Sequence, residues 1–167
     1  MSTPSPLYRP AGTGTIQNVL GMTHVNKLGT GETNGAFCAF ELTIPPGGGA
    51  PMHRHGVDAE CFYVLDGAIT FLGPDAAHIA LPGDLCLLPA GGAHGFRNDG
   101  GRAARALVIT APGTQAERFF GAIDAAMRDG PPSVATVTAI AARHDLTILP
   151  VAQPTGTQPT GPQPTRT

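Results

Sequence analysis

Glycine and proline are spread along this chain as punctuation, 23 and 17 of its 167 residues. Helix interiors tolerate neither well, whereas short strands joined by turns use both. The runs between these breaks read as strands. In the run 37–44, Cys38, Phe40, Leu42 and Ile44 share one face and Ala39, Glu41 and Thr43 the other, so the first face should enter a core. Residues 15–20 and 22–28 read as two strands parted by Gly21. The run 60–65 reads as a strand, with Asp66-Gly67 as a hairpin turn into 68–72. Runs at 76–81, 85–88, 94–98 and 102–110 follow. The expected fold class is all-β, a barrel or sandwich in one domain.

The pattern changes after Pro112. Ala116, Phe119, Phe120, Ile123 and Met127 recur on one helical stripe. Asp129 to Pro132 stops that helix, and Ser133 is a suitable N-cap for a second one running to about His144. Both helices are expected to cover an apolar outer face of the barrel, and 146–149 to form a short closing segment. The expected organisation is an N-terminal arm at 1–14, a barrel at 15–112, a helical extension at 113–151, and a disordered Pro/Thr/Gln/Gly tail at 152–167 that has nothing apolar to bury.

One stretch carries metal-ligand chemistry. His53 and His55 are spaced i, i+2, which on a strand turns both rings to one side. Glu60 follows on the next run and His94 lies downstream. Imidazoles with a carboxylate suit a borderline divalent metal, namely Fe, Mn, Ni, Cu or Zn. The expected cofactor is one such ion per subunit, held by His53, His55, Glu60 and His94. The glycine run 47–49 lacks the Lys-Ser/Thr and following helix of a phosphate loop, so that reading is rejected.

These residues fall at set spacings. Gly47, His53, His55, Glu60 and Gly67 fit G-x5-H-x-H-x4-E-x6-G, and Gly83, Pro89, Gly91, His94 and Asn98 fit G-x5-P-x-G-x2-H-x3-N. The chain thereby resembles the cupin superfamily over roughly residues 15–112, with every defining position filled. The resemblance implies a double-stranded β-helix (jelly-roll) barrel followed here by two short helices. The single barrel with a helical extension is similar to the quercetinase-like, flavonol-cleaving dioxygenases of bacteria.

Side-chain alternation extends the reading to a pocket. Phe62 and Val64 share parity with Glu60, Phe40 and Leu42 face the core, Phe96 shares a face with His94, and Met52 lies near the mouth. All six are candidate substrate contacts, with plain core packing as the alternative. Arg54 and Arg97 face outward by the same count, and Arg105 is ambiguous. No cation is clearly committed to the interior, which favours an apolar or aromatic substrate with a chelating oxygen over a phosphosugar. Among the other histidines, His24 reads as a surface residue or a lining of the pocket mouth. His78 reads as structural or solvated, and His144 as a helix C-terminal residue. Asp58 reads as a solvated loop residue.

The leading functional expectation is a dioxygenase in which Glu60 is both ligand and base for an acidic substrate hydroxyl. The alternatives are an O2-independent isomerase or polyketide-type cyclase using the metal as a Lewis acid, and a non-catalytic small-molecule binder. Net charge is −2 with a single lysine, Lys27, which argues against nucleic acid as a partner. No run is apolar enough for a membrane span. Cys38, Cys61 and Cys86 are widely separated and read as reduced thiols in a cytoplasmic protein. A homodimer is expected, paired through the N-terminal strand.

Overall fold

The computed structural model describes residues 5–150. Alternation in the run around Phe40 is realised as a strand in which Cys38, Phe40, Leu42 and Ile44 are buried and Glu41 and Thr43 are half-exposed. In chain order the strands are β1 (Thr15–Val19), β2 (Met22–Leu28), β3 (Cys38–Ile44), β4 (Gly49–His55), β5 (Ala59–Asp66), β6 (Ile69–Leu72), β7 (Ala77–Ala80), β8 (Leu85–Leu88), β9 (His94–Arg97) and β10 (Ala104–Ala111). Two helices, α1 (Thr114–Met127) and α2 (Val134–Arg143), precede a last short strand, β11 (Leu146–Ile148).

The strands form two antiparallel sheets, one ordered β1-β2-β3-β10-β5-β8 and the other β11-β4-β9-β6-β7. From β3 onward the chain passes from one sheet to the other at every connection except the β6–β7 hairpin. This is a jelly roll, with its core between the sheets.

The alternation corrects one expectation. Asp66-Gly67 is not a hairpin turn, because β5 pairs with β10 and β8 while β6 pairs with β7 and β9. The turn instead carries the chain across the barrel. Gly67 is required there: its φ is 74°, and a Cβ would sit 2.8 Å from the Ala104 Cα.

Phe62 is the centre of the barrel core, 1% exposed, with Phe71 and Phe96 at ring-centroid distances of 5.2 and 5.3 Å. Leu42, Ile44, Val64, Ile69 and Val108 fill the space around it. Each such side chain contributes roughly 1.5–3 kcal/mol by burial. Asn98 ties a connection to this core. Its Nδ2 donates to the carbonyls of Ile44 (2.9 Å) and Arg102 (2.8 Å), and its Oδ1 accepts from Gly100 N.

The helices sit elsewhere than expected. The stripe Ala116, Phe119, Phe120, Ile123 of α1 is buried, but Phe119, Phe120 and Val137 of α2 wall the barrel cavity rather than an outer sheet face. Ser133 caps α2 by accepting from Thr136 N at 3.1 Å. At the start of α1 the cap position is Gly113, which has no side chain to offer. Asp58 takes that role from the β4–β5 loop: Oδ1 accepts from Gly113 N (2.9 Å) and Oδ2 from Ala116 N (2.8 Å). Asp58 is 1% exposed, so its reading as a solvated loop residue is overturned. A carboxylate at an uncapped helix N-terminus satisfies two orphan donors and the local positive potential together.

The closing segment is β11, which pairs with the metal-motif strand through Leu146 with His55 and Ile148 with His53. Residues 5–14 are irregular and exposed, with Arg9 paired to Glu32. The Pro/Thr/Gln/Gly tail expected at 152–167 lies outside the described residues. No helix among those described is long and apolar enough to cross a membrane.

Candidate metal centre and its cavity

The four expected ligands converge. His53 and His55 alternate inward on β4, His94 is the cross-strand partner of His53 on β9, and Glu60 reaches in from β5 of the opposite sheet. The cluster therefore bridges the two sheets, and only the closed barrel assembles it. All four residues are buried, and their ligand atoms lie within 4.8 Å of one another.

The local backbone presets the rings. His53 Nδ1 is 2.8 Å from the Pro51 carbonyl and His94 Nδ1 is 3.0 Å from the Gly92 carbonyl. With each Nδ1–H donating to a carbonyl, each Nε2 lone pair is directed into the cluster. His94 Nε2 has no hydrogen-bond partner among the described residues. Its approach to Glu60 Oε2 is 3.4 Å, and that of His55 Nε2 is 3.6 Å, longer than charge-assisted hydrogen bonds.

Protonation states agree with a metal site. Burial holds the His53 imidazole down to about 4, against the pull of the Glu60 carboxylate. Burial acts to raise Glu60, but the His94 contact and the neighbouring His55 and His53 outweigh it and hold the carboxyl below its ordinary range. A buried N/N/N/O set with an orphaned imidazole nitrogen fits a divalent transition metal.

Beside the cluster lies a cavity of about 80 Å³. Of the six expected pocket residues, Phe40, Leu42, Phe62 and Phe96 line it, and Met52 and Val64 do not. On β4 the lining is Gly49, Ala50, Pro51, His53 and His55, and the pairing register with β9 shifts between Ala50 and His53, so simple alternation does not carry through Met52. Val64 has the right parity but lies one step farther along β5, inside the hydrophobic core. Arg54 and Arg97 are exposed as expected. Arg105 also faces outward, bonded to Glu41 at 2.8 Å. No lysine or arginine lines the cavity among the described residues.

One lining residue is decided between its two readings. His24 is 3% exposed and lies in the cavity wall, not on the surface. It shares the burial phase of Met22 and pairs across strands with Leu42, so it projects from the same face as that inward leucine. The phase of Met22 and His24 was the available signal. His78 is exposed and His144 ends α2.

Residues 40–110 match the family model described as Cupin domain. No curated protein matches the chain. Among solved structures, a predicted oxalate decarboxylase from Thermotoga maritima is 20% identical with a TM-score of 0.56, covering 64% of this chain and 98% of that one. The polyketide cyclase RemF from Streptomyces resistomycificus is 24% identical with a TM-score of 0.51, covering 66% and 80%. A sugar phosphate isomerase from Silicibacter pomeroyi is 25% identical with a TM-score of 0.48, and the match covers 56% of this chain and 61% of that chain. These likenesses concern the fold.

Proposed function

For a chain that carries a cupin domain, we propose a metal-dependent enzyme, specifically a quercetinase-like dioxygenase acting on an apolar, aromatic, enolisable molecule. The observation that carries this reading is the buried His53, His55, Glu60 and His94 set in contact with an apolar cavity that, among the described residues, has no cationic side chain. A phosphorylated substrate would require such a cation.

In this reading the three histidines hold the ion, and Glu60 accepts the proton of a substrate hydroxyl as well as completing the ligand set. A redox-active divalent ion bound there would supply Lewis acidity toward that oxygen and electrons toward O2. Phe40, Leu42, Phe62 and Phe96, with Phe119 and Phe120 from α1, pack against the substrate and keep water out. At about 80 Å³ the cavity falls below the roughly 300–1,000 Å³ usual for ligand pockets. A single-ring phenol thus needs less adjustment of the cavity walls than a flavonol.

The test is elemental analysis of the protein purified without added metal, paired with O2 uptake on a panel of flavonols and simpler enolisable phenols. Metal-dependent O2 consumption supports the reading. Turnover without O2 replaces it with Lewis-acid isomerisation or cyclisation, and tight binding without turnover replaces it with a carrier role. We further propose a cytoplasmic homodimer. Three unpaired thiols support the compartment, and the exposed edge strand β1 with its outward Ile16 supports pairing.

A further inference from the structure

Among the described residues, His24 is the one polar side chain of the cavity wall outside the candidate ligand cluster. Both of its ring nitrogens are buried and neither has a hydrogen-bond partner among the described residues. Its ring stacks on Phe40 at 4.6 Å with an interplanar angle of 8°, and the edge of Phe120 meets it at 4.6 Å. The ring is thus fixed by two aromatic neighbours while its hydrogen-bonding capacity is left unused. A buried polar group without a partner costs stability. An apolar ring of similar shape would fit the same sandwich without that cost, so packing does not account for a histidine here.

We propose that His24 is a positioning residue for the substrate, which hydrogen-bonds a second oxygen or nitrogen function while the substrate's first oxygen addresses the metal-ligand cluster. This deepens the reading of the cavity as a substrate site and rests on it. Burial holds the imidazole down to about 4, against the opposing pull of Glu60, so it is neutral near pH 7. A neutral imidazole offers one N–H donor and one acceptor, which suits a phenol or carbonyl and not an anion. The implied substrate is a planar ring carrying two polar functions, one at the ligand cluster and one at His24, with apolar edges elsewhere.

The experiment compares wild type, His24→Phe and His24→Gln, each loaded with metal. Phenol is titrated against catechol, resorcinol and hydroquinone, with and without metal removal. Wild type is expected to prefer at least one diphenol over phenol by about tenfold, the usual scale for satisfying a buried polar group. His24→Phe should reduce that preference to within twofold, leave metal content unchanged, and raise the melting temperature. His24→Gln should restore part of the preference. Metal-dependent phenol binding with no diphenol preference in wild type, or a preference that survives in His24→Phe, overturns the role of His24. A lowered melting temperature in His24→Phe also overturns it, because the histidine would then be serving the packing. Binding that is absent or indifferent to metal overturns the cavity reading itself, and the proposal with it.

Discussion

Replacing Asp58 with alanine tests how the helical cover is fastened to the barrel. Asp58 accepts from two backbone N–H groups of the first turn of α1, at 2.9 and 2.8 Å, and is 1% exposed. Hydrogen bonds to an ionised acceptor contribute about 1.5–3 kcal/mol each, and a carboxylate at a helix N-terminus adds about 0.3–1 kcal/mol. Allowing for non-additivity, Asp58→Ala should cost about 3–5 kcal/mol, a large share of the roughly 5–15 kcal/mol typical of a domain. Asp58→Asn keeps one acceptor oxygen and should cost about half as much. In urea melts, with a slope of about 2 kcal/mol per M, the alanine variant should lose about 2 M in midpoint. The exposed Asp75 is the control, with Asp75→Ala within about 0.5 kcal/mol of wild type. A loss of less than about 1 kcal/mol in Asp58→Ala would refute the capping role. Because α1 supplies Phe119 and Phe120 to the cavity, Asp58→Ala should also weaken binding of aromatic ligands, read by titration below the unfolding transition.

Three further outcomes follow from the site. The double variant His53→Ala/His94→Ala should lose metal content by an order of magnitude or more, measured by elemental analysis, and full occupancy would end the ligand assignment. Glu60→Gln keeps an oxygen donor but removes the basicity, so turnover should fall by roughly 10²–10⁴ with substrate affinity much less affected. O2 uptake within a few-fold of wild type would remove Glu60 as base. Metal-free protein should lose stability as pH falls from 6.5 toward 4. Over that window the unfolded chain protonates His24 while the folded imidazole, held down to about 4, stays neutral. The slope reaches about 1.4 kcal/mol per pH unit for this group, or about 3 kcal/mol across the window. His53 is shifted in the same direction. His24→Phe should therefore show a shallower acid limb in pH-dependent urea melts, and identical limbs would contradict a neutral buried His24.

The candidate ligand cluster was legible in the linear chain because strand alternation and the motif spacing point to its members. His53 and His55 face one way by strand alternation alone, and Glu60 and His94 sit at separations the motif fixes. Strand identity was legible for the same reason, since glycine, proline and alternation act over a few residues. What the sequence could not decide was which strands share a sheet. Asp66-Gly67 looks the same whether it closes a hairpin or sends the chain across the barrel, because only long-range pairing of β5 with β10 and of β6 with β9 distinguishes them. Depth along a strand was hidden too: Val64 and Phe62 have the same parity, but only one reaches the cavity. Asp58 was misjudged and His24 left open because their partners are remote, 55 residues on for the backbone N–H of Gly113 and on β3 and α1 for the rings around His24. Local periodicity set each side chain's face, and tertiary packing alone decided what that face meets.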